Sequence, residues 1–331
     1  MGGSITEVAG ILVGHAHDAV RGSGVTVLLF PEGAMAVADI RGEAAGTRQM
    51  DSLLRPHPAQ KIHALVFSGG SAFGLDAASG VVRYLEARNV GFPTPGGIVP
   101  IVPTAVVYDL GYGDSTFRPD STMGYEAACA ASFHPPERGS VGAGAGATVG
   151  KILGISRAMK GGFGSASESK GGTVVGACTV VNAFGDVVDP KTGRWLAGAR
   201  AVGKEAPADT EDMFRGGYRR EPFPTENTTL AVIATADLLT RDELGRVARM
   251  GHAALCRAIR PVHTPMDGDI VVSVATGASG RVGNALQAAA LGTRALEEAI
   301  VDAVRCAKGN GSVPAAAELQ GNQGSEADRT R

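Results

Sequence analysis

ENTTLAVIATADLLTRDELGRVARMGHAALCRAIRPVHTPMDGDIVVSVAT (226–276) is the stretch from which the fold is read. A polar Asn227-Thr228-Thr229 step leads into TTLAVIATA (228–236), whose β-branched, apolar content predicts a strand. Thr240 and Glu243 have the T-x-x-E spacing of a capping box, in which each side chain bonds the other residue's backbone N–H. Leu244, Val247, Ala248 and Leu255 follow at helical spacing, and Pro261 ends the pattern. Asp267-Gly268-Asp269 reads as a turn, and IVVSVAT (270–276) as a second strand. The unit is strand, helix, strand, with polar residues gathered where each strand begins.

The same reading extends in both directions. VTVLLF (25–30) and AMAVADI (34–40) are β-rich runs separated by Pro-Glu-Gly, a hairpin signal. IHALVF (62–67) predicts a strand, then Ser68-Gly69-Gly70 a turn, then a helix with Leu75, Ala78, Val82 and Leu85 on one face. Residues 91–104 are too rich in Pro for regular structure, and AVVYDL (105–110) resumes as a strand. Residues 139–172 hold several Gly-rich stretches; TVVGACTVV (173–181) with 187–188 reads as a hairpin turning at 182–186. Residues 189–227 are polar and aperiodic, an exposed loop of a length that is usually functional or disordered. A last Ala-rich helix is expected over 281–307, closed by Lys308-Gly309, with a polar, disordered tail over 309–331. Hairpin strands with segregated helices argue for an α+β class in one domain, residues 1–308.

Composition narrows the functions. The chain has 331 residues, 44% hydrophobic and 19% charged, enough for a large core. A net charge of −2 gives no footprint for nucleic acid or an anionic membrane, and no run of 18 apolar residues spans a bilayer. MGGSITEVAG lacks a secretory pattern, so a cytoplasmic location is expected, with Cys129, Cys178, Cys256 and Cys306 as reduced, buried thiols. No C-x-x-C or H-E-x-x-H occurs, so neither a metal nor an organic cofactor is suggested. The 48 Gly are far above the usual roughly 7%, and without a triplet period they indicate tight turns and close backbone approaches.

Three constellations can carry chemistry. Ser68–Gly74 (SGGSAFG) can bind an anion on backbone N–H groups, but it lacks the P-loop Lys and misses the nucleophile elbow; a structural turn is the plainer reading. Asn227-Thr228-Thr229 is a glycosylation sequon on its surface, and a polar entry to a strand otherwise. Chemically, Thr228 could attack the carbonyl before it; cleavage would free its α-amine, whose pKa of about 8 suits a base. Asp267 and Asp269 are either solvated turn residues or a coupled pair that orients an ammonium or hydroxyl.

Taken in order, SGGSAFGLDAASGV (68–81), VPTAVVYDL (102–110), GAGAGATVGK (142–151), VVNAFGDVVD (180–189) and the 226–276 stretch closely resemble one family. It holds the DmpA-type aminopeptidases, the β-peptidyl aminopeptidases and the nylon-oligomer (6-aminohexanoate oligomer) endohydrolase; the resemblance covers roughly residues 4–305. It implies a four-layer αββα sandwich of the N-terminal-nucleophile-hydrolase type, cut between Asn227 and Thr228 into 1–227 and 228–331. It also implies a homotetramer of cleaved protomers acting on a small amide or peptide. Thr228 with Asp267-Gly268-Asp269 is similar to the nylon-oligomer branch, where aminopeptidase members carry Ser. By the same resemblance Lys151 and Asn182 match active-site positions, and Tyr108 stands where a substrate-binding tyrosine is expected. Read alone, Lys151 is a surface lysine, Asn182 a turn residue and Tyr108 a core aromatic. An aminopeptidase for short peptides, or a non-catalytic binder using 68–74, are the alternatives.

Overall fold

The computed structural model describes residues 3–202, 206–218 and 227–319. Its large mixed sheet has nine strands, numbered here in chain order. They are β1 (Leu12–Asp18), β2 (Ser23–Gly42), β3 (Gly46–Arg48), β4 (Lys61–Ser68) and β5 (Thr104–Val106). β6 (Gly162–Lys170), β7 (Thr173–Asn182), β8 (Thr228–Thr235) and β9 (Gly268–Ala275) complete it. The order is β6-β7-β8-β9-β2-β4-β5-β3, with β1 also on β2. The principal helices are α1 (Ala77–Glu86), α2 (Ser121–Cys129), α3 (Arg241–Ala258) and α4 (Ala285–Arg305).

Alternation along the strands resolves this sheet into two stacked halves. In β8, Leu230 and Val232 point into a core shared with Leu28, Phe30, Leu65, Phe67 and Phe163, between the halves. Ala231 and Ile233 point the other way, onto Leu244, Leu255, Leu296 and Ile300 of α3 and α4. In β4, Leu65 and Phe67 join the central core, whereas Ala64 and Val66 face Ala78, Val81 and Ala127 of α1 and α2. The layers are therefore α3/α4, sheet, sheet, α1/α2: a four-layer α+β sandwich. A period of two that buries both faces demands continuously apolar strands, as β8 and β9 are. α3 carries its capping box, and Asn284 caps α4 through the Leu286 and Gln287 N–H groups. α4 packs directly on β6, because a Cβ on Gly164 would stand 1.9 Å from Ala299 O.

Several local expectations are corrected. Residues 25–40 are no hairpin but one strand, β2, with a register irregularity between Leu29 and Ala34. Its first part pairs with β1 and β4 and its second with β9, so long-range partners override the Pro-Glu-Gly signal. The hairpin expected at 182–186 lies one element earlier: β6 and β7 pair from Gly162↔Val181 to Lys170↔Thr173 around Gly171-Gly172. Such a two-residue glycine loop suits hairpin twist. Within 91–104, Phe92–Thr94 pairs with Gly97–Val99. The 189–227 loop holds a strand at Trp195–Ala197 and a short helix at Thr210–Arg215; its residues 203–205 and 219–226 lie outside the described residues. Cys178 is buried, but Cys129, Cys256 and Cys306 are exposed. The expected tail is packed as far as 319, since Val313, Ala315, Ala316 and Leu319 are buried apolar residues and Lys160 N–H bonds Pro314 O. Residues 320–331 lie outside the description. Among the described residues, no helix is long and apolar enough to cross a membrane.

Candidate active site

Thr228 opens β8, and the register of the sheet sets what surrounds it. Antiparallel pairing puts Asn182, the last residue of β7, opposite Thr228. Parallel pairing of β8 with β9 puts Asn227 beside Asp267 and Leu230 beside Ile270. The acidic pair is thus no solvated turn: Asp269 lies within β9, and both carboxylates are 1% exposed.

The bond between Asn227 and Thr228 is closely held. Asn227 N–H donates to Met266 O at 2.8 Å. Its carbonyl oxygen accepts from Gly268 N–H at 2.7 Å and from Thr228 Oγ1 at 2.6 Å. A hydroxyl and a fixed backbone donor therefore converge on one carbonyl.

Asp267 accepts from Phe184 N–H (3.2 Å) through Oδ1, and from Thr264 N–H (3.1 Å) and Thr264 Oγ1 (2.5 Å) through Oδ2. Burial, then the neighbouring Asp269 charge, pushes its carboxyl up to about 6 against those bonds. Asp269 accepts from Thr229 N–H at 2.7 Å through Oδ1. Its Oδ2 accepts from His263 N–H (3.2 Å) and pairs with His263 Nδ1 (2.9 Å).

Lys151 is brought in by the Gly-rich stretch. Gly150, at φ +72°, lies so close to Ala199 N that a Cβ would stand 1.9 Å away. Lys151 N–H then bonds Phe184 O, and its ammonium donates to Asn182 O (3.0 Å) and Asn182 Oδ1 (2.9 Å). Burial brings that ammonium down to about 7, with the Asp267 and Asp109 carboxylates opposing the shift. Asn182 Oδ1 also accepts Thr148 N–H, and Asn182 Nδ2 donates to Tyr108 O at 3.0 Å. Tyr108 and Lys151 line a cavity of about 90 Å³ with Asp109, Tyr112, Thr148 and Ile155.

Of the residues singled out from sequence, Asn182, Asp267 and Asp269 flank the Asn227–Thr228 step directly, while Lys151 and the backbone carbonyl of Tyr108 reach it through Asn182. In the intact chain the donors on the Asn227 carbonyl are Gly268 N–H and Thr228 Oγ1, while the Asn182 side-chain amide is engaged by Lys151, Thr148 and Tyr108. The Gly-rich turn at 68–74 belongs to the scaffold: Gly70 N–H and Ser23 Oγ hold buried Asp109. Asp109, whose carboxyl burial raises, and Lys160 were missed. Lys160 donates to Ala145 O and Ala147 O beneath the Gly-rich stretch, and burial brings it down to about 7. His263 and Thr264, which hold the two carboxylates, were missed as well. Only their closeness to Asp267 in PVHTPMDGD signalled them.

A solved L-aminopeptidase D-Ala-esterase/amidase from Ochrobactrum anthropi, described as a variant of the Ntn-hydrolase fold, superposes with a TM-score of 0.71. The match covers 100% of this chain and 96% of that one at 18% identity, so it speaks for the fold. The fold is thus of the Ntn-hydrolase type, and the class is a peptide or amide hydrolase. The chain belongs to peptidase family S58, whose model matches residues 3–326. An uncharacterized aminopeptidase of Mycobacterium tuberculosis is 43% identical over 292 residues, covering 83% of this chain and 82% of that one. A 6-aminohexanoate-oligomer endohydrolase of an Agromyces species is 30% identical over 276 residues, covering 82% and 74%.

Proposed function

We propose that the chain is an autoprocessing N-terminal-threonine amidohydrolase that cuts itself between Asn227 and Thr228. The observation that carries this is the pair of donors on the Asn227 carbonyl, the Thr228 hydroxyl at 2.6 Å and Gly268 N–H at 2.7 Å. Thr228 Oγ attacks the Asn227 carbonyl carbon, and Gly268 N–H receives the charge developing on its oxygen. The C–N bond breaks, the Thr228 nitrogen takes up the proton that Oγ gives up, and an ester on Oγ remains. Water hydrolyses it, leaving Asn227 as a carboxylate and Thr228 with a free α-amine.

On a substrate that amine takes the proton of its own hydroxyl as Oγ attacks the amide carbonyl. Asp267 and Asp269 orient the amine and hydroxyl, Gly268 N–H with Asn182 steadies the oxyanion, and Lys151, which holds Asn182, steadies the charge of both reactions. The amine fragment leaves with a proton, and water releases the acyl group from Thr228. Every step uses this chain's own groups and water. The cavity beside Tyr108 is the substrate contact. The small amide is a linear one such as a 6-aminohexanoate oligomer, and the working form is a cytoplasmic homotetramer of cleaved protomers. A second reading, aminopeptidase action on short peptides, is favoured by the higher identity to proteins described as aminopeptidases.

Mass analysis tests the core of this. Wild type should yield fragments of roughly two thirds and one third of the chain, and Thr228→Ala one intact chain. Wild type that hydrolyses amides while remaining uncut refutes the mechanism.

A further inference from the structure

We propose that His263 is a positioning residue for the reaction, setting the Asp269 carboxylate against the nucleophile strand; this rests on the reading of Thr228 as nucleophile. Asp269 is 1% exposed and joins two elements. Oδ1 takes Thr229 N–H from β8, one residue from Thr228, and Oδ2 takes both the backbone N–H and the ring Nδ1 of His263. A carboxylate only accepts, so Nδ1 is the donor of this bond. Nε2 is buried with no hydrogen-bond partner among the described residues. The ring is 16% exposed and meets His252 edge-on, with centroids 4.8 Å apart. His252, itself 1% exposed, sets Nε2 on Asp39, 3.1 Å from Oδ1 and 3.2 Å from the carbonyl oxygen.

The backbone conformation makes the ring a positioning device rather than filler. His263 occupies a left-handed conformation, φ 55°, which non-glycine residues seldom adopt. That conformation lets backbone and ring grip the same carboxylate oxygen. Without the ring donor, Asp269 keeps one N–H on each oxygen. It is then freer to turn away from β8, where the amine of Thr228 must be met after cleavage. The chemistry itself never passes through the imidazole, so the effect falls on turnover and not on substrate affinity.

The test uses the full chain and three variants. His263→Gly suits the left-handed backbone and deletes the ring. His263→Asn tolerates that backbone and carries an amide N–H where Nδ1 stands. His263→Gln keeps more of the volume but carries its N–H where Nε2 stands. Self-cleavage is followed by mass analysis and turnover on a 6-aminohexanoate oligomer. His263→Gly and His263→Gln should slow both by about ten- to a hundred-fold with KM unchanged, as loss of an outer orienting partner does. His263→Asn should recover most of the rate, and added imidazole should restore His263→Gly. Wild-type rates in His263→Gly, or a loss that tracks side-chain volume and that neither imidazole nor Asn repairs, overturn the role. Cleavage persisting in Thr228→Ala overturns the underlying reading instead, and this inference with it.

Discussion

Replacing Lys151 by methionine sets catalysis against stability, with a pH signature that can be worked out. Lys151 is 3% exposed as a residue, and burial brings its ammonium from 10.5 down to about 7. Below pH 7 both folded and unfolded chains hold the proton, and above 10.5 neither does. Between those limits only the unfolded chain binds it, so stability rises with pH, by at most about 1.4 kcal/mol per pH unit. Across the window the lysine regains about 5 kcal/mol. Lys160, also brought to about 7, adds a second contribution of the same sign. At pH 7 Lys151→Met removes a costly buried charge but also two hydrogen bonds to Asn182, each worth about 1–3 kcal/mol. The two nearly cancel there. As pH rises the wild-type side chain sheds its desolvation cost and keeps its bonds, so wild type should pull ahead by a few kcal/mol near pH 10. Urea unfolding at pH 7, 8.5 and 10, read by the single Trp195, measures this in a Thr228→Ala background where both chains stay intact. Self-cleavage in the Thr228 background should slow by about ten- to a hundred-fold, because Lys151 holds Asn182, the residue paired with Thr228. Stability curves that run parallel with pH, together with cleavage at the wild-type rate, would refute this account of Lys151.

Three further outcomes follow from the same geometry. Asp267→Asn and Asp269→Asn should each lower turnover by about two orders of magnitude or more and leave the fold intact, read by kinetics beside circular dichroism. Gly150→Ala should destabilise by about 3 kcal/mol or more, since its φ is +72° and its Cβ would stand 1.9 Å from Ala199 N; a lower urea midpoint and slowed maturation check it. An endohydrolase should retain most activity on an N-acetylated 6-aminohexanoate oligomer, whereas an aminopeptidase, which must pair a buried substrate ammonium, should lose it. Rapid turnover of aminoacyl p-nitroanilides with blocked oligomers untouched decides for the aminopeptidase.

What could be read from sequence was what local physics dictates. The capping box of Thr240 and Glu243, the apolar run of β8 and the Ala-rich α4 need only neighbours within a few turns, and all three stand close to where they were expected. What could not be read depends on distant partners. Pro31-Glu32-Gly33 is a turn signal until β1, β4 and β9 hold both ends of β2 in one strand. Asp267-Gly268-Asp269 has turn composition, yet pairing with β2 draws Gly268 and Asp269 into the sheet. The site shows the same division. Ordered motifs point to Thr228, Asp267, Asp269, Lys151, Asn182 and Tyr108, and the structure links these residues by pairing and hydrogen bonds. Lys160 and Asp109 were not, because a buried lysine or aspartate differs from a surface one only in what folds over it.

The register also suggests why one constellation can serve two reactions. Gly268 N–H belongs to β9 and reaches across to the carbonyl of the residue before Thr228. Cleavage at that bond, on the proposed reading, removes the Asn227 carbonyl but not the strand that carries the donor. A substrate amide entering from the Tyr108 side must bring its carbonyl carbon within reach of the same Thr228 Oγ. Its oxygen then falls where the Asn227 oxygen was. On the proposed reading one donor serves self-cleavage and hydrolysis alike, with no rearrangement of β8 or β9. The carboxylates are arranged to the same end: Asp267 is tied to Phe184 and Thr264, and Asp269 to Thr229 and His263, none of which is lost with Asn227. Preorganisation on rigid strands, rather than a shift after maturation, is what this geometry supplies.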